Sequence, residues 1–235
     1  MANKTPILVF DLDDTLYSKQ QVFLTALNKC YPTFTTDINV YQVYQENSEI
    51  AFELFTKGQI TLEENHLSRV EGTLSALGLD SSRESVIRFK ETYQYVMDHI
   101  ELDKDWYHFF DKVSNHSTLV LLTNGPTSHQ SKKITSLRLA KWFDDSRIFI
   151  SETTGVPKPQ AQAFMNVERL FPGVNKNDFW MIGDDLVNDI KGAKTRDWNT
   201  IYFKFGEEDT TLTPKPLSSP KDLLEKLEKE ALFSL

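Results

Sequence analysis

The sequence contains a single cysteine, Cys30, among its 235 residues. One thiol excludes both an intramolecular disulfide and a zinc site built from several thiolates. No apolar run approaches the roughly 18 to 20 residues that a membrane-spanning helix needs, and no basic segment followed by an apolar one opens the chain. We therefore expect a soluble, cytoplasmic protein of a reducing compartment, without a membrane partner.

Positive charge is also scarce, because 26 Lys and Arg residues stand against 34 Asp and Glu residues, for a net charge of −8. Phosphate backbones are held mainly by Lys and Arg, so this balance argues against a nucleic-acid polymer as partner. A small phosphorylated molecule would likewise need local positive charge to approach an acidic protein.

Five short apolar runs alternate with helix-like segments along much of the chain. The predicted strands are residues 7–10, 119–122, 148–150, 179–182 and 200–203, and the predicted helices include residues 128–142, 161–170 and 189–194. This alternation predicts an α/β fold with a mostly parallel sheet that helices cover on both faces.

Residues 18–107 interrupt this alternation with several apolar patterns of helical period. Thr61 with Glu64, and Ser81 with Glu84, have the spacing of capping boxes at helix starts. We therefore predict a helical domain at residues 18–107, inserted into an α/β catalytic domain of residues 1–17 and 108–235. A last helix is predicted to start at Ser219 and Pro220.

Two carboxylates follow the first predicted strand, Asp11 at its end and Asp13 two residues later. The carboxyl ends of parallel strands border the ligand crevice of such folds. At this spacing Asp11 can act as a nucleophile, and Asp13 as a general acid and then a base. Taken alone, however, the pair is better explained as ordinary turn residues.

A second acidic cluster follows the predicted strand at residues 179–182. Gly183 allows close backbone approach, and Asp184, Asp185 and Asp189 come next. Carboxylates from two strand ends suit Mg²⁺, which needs one or two protein carboxylates and keeps several waters. On its own this cluster is also typical of a helix N-terminus.

Two further segments carry groups that suit a phosphate. Thr123 and Asn124 follow the second predicted strand, where a hydroxyl and backbone N–H groups can face phosphate oxygens. Lys158 lies between Pro157 and Pro159, whose rings restrict the backbone that carries its ammonium group. Each signal is weak alone, since turns and solvated lysines are common.

Together and in this order, the four segments resemble the haloacid dehalogenase-like hydrolase superfamily, whose members are mostly phosphatases. The matching residues are Asp11, Asp13, Thr15, Thr123, Lys158, Gly183, Asp184 and Asp189. The resemblance implies a doubly wound, Rossmann-like core, with the inserted helices as a mobile cap domain over the site.

The resemblance also implies an aspartyl-phosphate mechanism. Asp11 would be the nucleophile, and Asp13 would protonate the leaving oxygen and then activate water. Mg²⁺ would be held by the Asp11 carboxylate, the Asp13 backbone carbonyl and the Asp184 carboxylate. This division suits phosphoryl transfer, which depends on in-line positioning and charge neutralisation.

The remaining matches imply phosphate ligands and supporting residues. Thr123, the Asn124 backbone N–H and Lys158 would hold the phosphoryl oxygens. Asp189 would orient Lys158 or a metal-bound water. Asp185 occupies a position where the family often has Ser or Thr.

The residue at position 13 bears on the type of reaction. Family members that cleave carbon–halogen bonds lack a carboxylate there, so Asp13 implies a phosphomonoester hydrolase. Hexose-phosphate mutases keep this carboxylate, so a phosphomutase stays an alternative, as does a phosphatase of sugar phosphates or other small metabolites.

Two alternatives come from other classes of protein. A phosphoacceptor signalling module shares an acceptor Asp, a Thr and a Lys, but its acceptor follows a later strand in a chain of about 100 to 150 residues. A catalytically inactive binding protein is the other alternative.

Parts of the chain are similar to bacterial pyrimidine 5'-nucleotidases of this superfamily. They are residues 44–71 and 151–159, together with Thr123-Asn124-Gly125. This likeness implies a (deoxy)pyrimidine nucleoside monophosphate as substrate. Phe52 and Phe55 can either stack on a base or form the cap's own core. The oligomeric state, monomer or dimer, stays open.

The acidic excess is concentrated in two segments. Six of the 34 acidic residues fall there: Asp11, Asp13, Asp14, Asp184, Asp185 and Asp189. A phosphate dianion can enter such a site only with a divalent cation and Lys158 compensating the charge. Mg²⁺ is therefore predicted to be obligatory.

Overall fold

A computed structural model describes residues 5–207 and 211–230. Its strands are β1 Ile7–Phe10, β2 Thr118–Thr123, β3 Ile148–Ile150, β4 Phe179–Gly183 and β5 Asn199–Tyr202. They form one parallel sheet in the order β3-β2-β1-β4-β5. The chain adds strands on one side of β1 and then on the other, so the predicted doubly wound, Rossmann-like α/β core is confirmed.

Helices occupy much of the rest of the described chain. The α-helices are α1 Lys19–Cys30, α2 Val40–Thr56, α3 Leu62–Ala76, α4 Arg83–Asp98, α5 Lys104–Val113, α6 Thr127–Ser136, α7 Ser151–Thr154, α8 Ala161–Glu168, α9 Gly192–Lys194 and α10 Pro220–Lys229. A π-helical segment spans Leu186–Lys191, and 3₁₀ turns span Leu139–Lys141, Asp145–Arg147 and Lys176–Asp178. Within the described ranges, none of these helices has the length and apolar character to cross a membrane.

The central strand β1 is buried along its whole length. Successive side chains point to opposite faces of the sheet. Val9 belongs to a core cluster with Phe164 of α8, whereas Phe10 meets the rings of Trp106 and Phe110 of α5 edge-on. Burial on both faces explains why the sequence of this strand is a continuous apolar run.

The chain divides into two compact units. One contains the sheet and comprises the described residues up to Ser18 and from Ile100 onward, and the other is Lys19–His99. The helical domain predicted at residues 18–107 extends further than this second unit. The difference arises because Trp106, which is fully buried, stacks on Phe110 and packs against Phe203 within the sheet unit.

The helical unit Lys19–His99 has an apolar core of its own. Its buried members are Phe23, Ala26, Leu27, Leu67, Val70, Leu74, Val86 and Phe89. Phe52 is 56% exposed, so the interpretation of Phe52 as a core residue of this unit is wrong.

Capping contacts decide where two helices of this unit begin. The predicted capping box of Thr61 and Glu64 is present at the start of α3. The box predicted for Ser81 and Glu84 is wrong, because Ser82 is the N-cap of α4 and its hydroxyl accepts from the backbone N–H of Ser85. The predicted start of α10 is confirmed, with Ser219 as N-cap and Pro220 as first residue.

The helix predicted at residues 128–142 is too long. Helix α6 ends at Ser136, and Arg138 adopts a left-handed conformation with φ of 54°. This turn directs both Leu137 and Leu139 into the core, where each is fully buried. The apolar spacing therefore continues past the point where the helix has ended.

Candidate active site

A buried ion cluster lies at the carboxyl end of β1. The backbone N–H of Asp11 donates to the carbonyl of Ile182 at 2.9 Å, which ties Asp11 to the neighbouring β4. The Nζ atom of Lys158 donates to Oδ1 of Asp11 and to Oδ1 of Asp189, both at 2.6 Å. All three side chains of the cluster are buried.

Burial and charge act against each other in this cluster. Burial, followed by the nearby charges of Asp189 and Asp13, raises the pKa of Asp11 to about 7, although the Lys158 ammonium favours the carboxylate. Burial disfavours the Lys158 charge, but Asp11 and Asp189 outweigh it and raise the pKa of the ammonium. The Lys158 ammonium thus pairs with two carboxylates. A further cation near Asp11 would favour the ionised form of the Asp11 side chain.

The segment that carries Lys158 is fixed to the turn after β2. The side-chain Nδ2 of Asn124 donates to the carbonyl of Lys158, and the N–H of Lys158 donates to Oδ1 of Asn124, both at 2.9 Å. The N–H of Gly125 donates to Oγ of Ser151 at 2.9 Å. Two of the sequence segments assigned to phosphate binding are therefore joined directly to each other.

The second acidic segment turns Asp189 back over the end of β4. The helix predicted at residues 189–194 starts earlier, as the π-helical segment Leu186–Lys191. Asp185 is its N-cap, because Oδ1 of Asp185 accepts from the backbone N–H groups of Val187 and Asn188. Oδ2 of Asp189 then accepts from the N–H of Asp185 at 3.0 Å. Asp185 thus stabilises the local turn, while Asp189 reaches Lys158.

Gly183 has no room for a side chain, because Asp189 lies directly against it. A Cβ at this position would lie 2.2 Å from Oδ2 of Asp189, so the backbone or the Asp189 side chain must shift in Gly183→Ala, and we expect the contact of Asp189 with Lys158 to weaken. We expect the free energy of unfolding to fall by about 2 to 3 kcal/mol. Urea denaturation measures this loss.

A matched control separates crowding from general effects of adding a methyl group to glycine. Gly173 has a φ of 84° and nothing within 4 Å of an added Cβ, so Gly173→Ala should cost about 1 kcal/mol through backbone strain alone. Equal stability losses in the two variants would contradict the assigned role of Gly183.

Carboxylates of Asp11, Asp184 and Asp189 offer a candidate metal site. One oxygen from each lies within 4.8 Å of the others. All three are hard oxygen donors, which is the ligand type that Mg²⁺ prefers. Lys158 contacts two of these carboxylates, Asp11 and Asp189. The third carboxylate, Asp184, is partly exposed, and with it the three form a donor set that fits a divalent cation.

Asp13 lies in a separate cluster of hydrogen-bond donors. Its Oδ1 accepts from the Tyr17 hydroxyl at 2.5 Å and from Nζ of Lys133 at 2.6 Å. Its Oδ2 lies 3.3 Å from Nε2 of Gln130, and that nitrogen donates to Oγ1 of Thr123 at 2.6 Å. Asp13 and Thr123 are thus connected through Gln130.

Tyr17, Gln130 and Lys133 are not among the site residues predicted from the sequence. Gln130 and Lys133 have the three-residue spacing that places side chains on one helix face, directly after the Thr123-Asn124-Gly125 turn. That spacing was the available signal, but solvent-facing polar residues of a helix show it as well.

Two curated relatives match this chain over most of its length. It is 27% identical over 207 residues to the HAD-hydrolase YfnB of Bacillus subtilis (strain 168), covering 83% of each chain. It is 27% identical to the pyrimidine 5'-nucleotidase PynA of Streptococcus pneumoniae, covering 96% of each. A shorter match, 34% identical over 89 residues, links 38% of the chain to 36% of the glyceraldehyde 3-phosphate phosphatase of Pyrococcus abyssi.

Solved structures share the fold. The magnesium-bound YfnB structure from Bacillus subtilis superposes with a TM-score of 0.68 at 22% identity, covering 95% of this chain and 99% of that one. An L-2-haloacid dehalogenase from Xanthobacter autotrophicus gives a TM-score of 0.64 at 17% identity, covering 97% and 99%. At these identities the likeness concerns the fold alone.

A family model matches the part of the chain that contains both acidic segments, the Thr123 turn and Lys158. The model describes haloacid dehalogenase-like hydrolases and matches residues 5–195. It therefore includes the whole of the ion cluster and the donor cluster around Asp13. The chain belongs to the haloacid dehalogenase-like hydrolase family.

Proposed function

We propose that this hydrolase is a Mg²⁺-dependent phosphomonoesterase that acts through an aspartyl-phosphate intermediate. The observation that carries the proposal is the separation of Asp11 from Asp13. Asp11 contacts Lys158 in a buried ion cluster, whereas Asp13 is held by Tyr17 and Lys133. Two carboxylates in different surroundings can take different roles in one reaction.

The first half of the reaction forms an ester on Asp11. A carboxylate oxygen of Asp11 attacks phosphorus, the bond between phosphorus and the ester oxygen breaks, and Asp13 gives its proton to the leaving oxygen. Lys158, Thr123 and the Asn124 backbone N–H hold the phosphoryl oxygens. Their fixed positions neutralise charge without reorganisation during transfer.

The second half returns the enzyme to its starting state. Asp13 takes a proton from water, the water oxygen attacks phosphorus, and the bond to the Asp11 oxygen breaks, releasing inorganic phosphate. Mg²⁺ would be held by the carboxylates of Asp11 and Asp184 and by the backbone carbonyl of Asp13. Asp189, the third carboxylate of the candidate metal site, pairs with Lys158 in this proposal. When bound, Mg²⁺ supplies positive charge that the acidic site needs to accept a phosphate dianion.

As substrate we propose a (deoxy)pyrimidine nucleoside monophosphate. We also propose that the helical domain predicted at residues 18–107 acts as a cap domain for this substrate. The likeness to the pyrimidine 5'-nucleotidase PynA over 96% of the chain supports it. The partial match to a glyceraldehyde 3-phosphate phosphatase favours the second candidate, a small-metabolite phosphatase. Cytoplasmic location stays a prediction.

A phosphate-release panel tests both the reaction and the substrate. We expect Mg²⁺-dependent release from dUMP and dTMP, with kcat/KM about tenfold above purine nucleotides, sugar phosphates and glyceraldehyde 3-phosphate. Chelation of Mg²⁺ should reduce release by about a hundredfold or more.

Other outcomes would point elsewhere. Sugar phosphates ahead of all nucleotides would contradict the nucleotidase assignment and leave the core mechanism standing. An isomeric phosphate as product would indicate a mutase, and a phosphoprotein stable for minutes would indicate a signalling module. Halide release from a 2-haloacid, without phosphatase activity, would indicate a dehalogenase.

A further inference from the structure

Gln130 is a buried polar side chain that the proposed mechanism does not use. It lies on α6 and is 1% exposed. Its Nε2 donates to Oγ1 of Thr123 at 2.6 Å and to the backbone carbonyl of Asn124 at 3.0 Å. Its Oε1 accepts from Nζ of Lys133 at 2.8 Å. Every one of these partners is in or beside the candidate active site.

The chemistry of the partners fixes which way the Gln130 amide faces. An ammonium group only donates, so the amide atom next to Lys133 must be the oxygen. A backbone carbonyl only accepts, so the atom next to the Asn124 carbonyl must be the nitrogen. The two partners require the same orientation, and in it the nitrogen faces Thr123.

This orientation determines what the Thr123 hydroxyl can do. A threonine hydroxyl carries one hydrogen, which otherwise rotates to suit its surroundings. Because Oγ1 of Thr123 accepts from Gln130, its hydrogen is directed away from Gln130. Phosphoryl oxygens only accept hydrogen bonds, so a hydroxyl held in this way is ready to donate to them.

The same helix face also holds Asp13. Nε2 of Gln130 lies 3.3 Å from Oδ2 of Asp13, and Nζ of Lys133 lies 2.6 Å from Oδ1. Gln130 and Lys133 thus contact the two carboxylate oxygens separately. The pair connects the group assigned to phosphate binding with the group assigned to proton transfer.

We propose that Gln130, oriented by Lys133, is a positioning residue that directs the Thr123 hydroxyl hydrogen toward the phosphoryl group. The inference rests on the proposed function, because it takes Thr123 as a phosphate ligand.

Substitutions of Gln130 and Lys133 test the positioning role with p-nitrophenyl phosphate and Mg²⁺. Gln130→Leu removes the donor, and we expect kcat/KM to fall about 30- to 100-fold. Gln130→Glu should lose more, because a carboxylate cannot donate to Thr123 and repels Asp13. Lys133→Met should lower kcat about tenfold or more, and Lys133→Arg should recover part of this loss.

A control on the same helix removes the charge of an exposed lysine. Lys132 is exposed, so Lys132→Met should keep wild-type kcat and KM. Unchanged kcat/KM in both Gln130→Leu and Lys133→Met would overturn the proposal.

A double-mutant cycle separates positioning from general structural damage. If Gln130 acts through Thr123, then Gln130→Leu should cost less than about threefold when Thr123 is already valine. Equal losses in the wild-type and Thr123→Val backgrounds would overturn the proposal. If Gln130→Leu does not fold, the same cycle with Gln130→Met, which keeps the side-chain length and lacks the donor, gives the answer. Lys133→Met cannot replace it in this cycle, because Lys133 also contacts Asp13 directly.

Binding of inorganic phosphate separates this inference from the proposed function. Calorimetric titration with Mg²⁺ should show weaker phosphate binding in Gln130→Leu, and this loss should vanish in the Thr123→Val background. A wild type that binds phosphate with this coupling but turns over no ester would refute the proposed function and keep the inference. Equal phosphate affinity in wild type and Gln130→Leu, or no phosphate binding at all, would overturn the inference.

Discussion

Asp11→Asn is expected to abolish phosphate release, lowering kcat by about 10⁴-fold or more while the protein stays folded. The neutral amide cannot attack phosphorus as a carboxylate does, so no aspartyl phosphate forms. Phosphate release from p-nitrophenyl phosphate measures the rate. Mass spectrometry of protein quenched during turnover should find one added phosphoryl group on the wild type and none on the variant.

The ion cluster explains why this variant should remain folded. Lys158 still pairs with Asp189 when the Asp11 charge is gone, so no buried charge is left without a partner. Burial, and then repulsion by Asp189 and Asp13, raises the pKa of Asp11 in the wild type. Removing that repulsion should leave the Tm of Asp11→Asn unchanged or higher.

Asp14 provides a matched control from the same loop. It has a φ of 56°, a conformation that asparagine tolerates, so Asp14→Asn removes a nearby carboxylate with little strain. This variant should retain most of the wild-type kcat. Asp11→Asn with more than about 1% of wild-type turnover would rule out Asp11 as the nucleophile.

The central strands β1, β2 and β4 could be predicted from the sequence because burial on both faces leaves few choices of residue. The run Ile7–Phe10 is apolar throughout, and Asp11 stands where the chain leaves the core. Parallel strands then bring their carboxyl ends to one edge, so Asp11 and Lys158 meet across 147 positions of sequence. The topology thus follows from local patterns and a general rule of the fold class.

The end of α6 could not be predicted in the same way. Leu137 and Leu139 continue an apolar spacing, but the chain leaves the helix through Arg138 in a left-handed conformation. Glycine is the usual residue at such a turn, and an arginine there carries no signal in the sequence. Burial of Leu139 and Phe143 compensates for the cost of this turn.

The donors around Asp13 were missed for a related reason. Gln130 is almost fully buried and Lys133 partly so, yet polar residues on a helix usually face solvent. Their position becomes informative only when α6 is packed with its first turn beside Thr123. The acidic residues could be found because they directly follow apolar strands. The donors on α6 lie within a polar helix, where they cause no change in the sequence pattern.

Asp13→Asn is expected to lower kcat about 10²- to 10⁴-fold and to change which step limits the rate. With p-nitrophenyl phosphate the leaving phenolate needs no proton, so Asp11 should still be phosphorylated. Without a base, water then attacks slowly. Rapid-mixing kinetics should therefore show a burst of one p-nitrophenolate per enzyme, followed by slow release of phosphate.

A nucleoside monophosphate should behave differently in the same variant. Its leaving alkoxide needs a proton from residue 13, so the first step itself becomes slow and no burst of nucleoside should appear. Lys133 and Tyr17 can still donate to the amide oxygen of Asn at this position, so the loss reports proton transfer and not a collapsed loop. Equal losses without a burst for both substrates would contradict the assignment of Asp13 as acid and base, since a purely structural defect does not distinguish leaving groups.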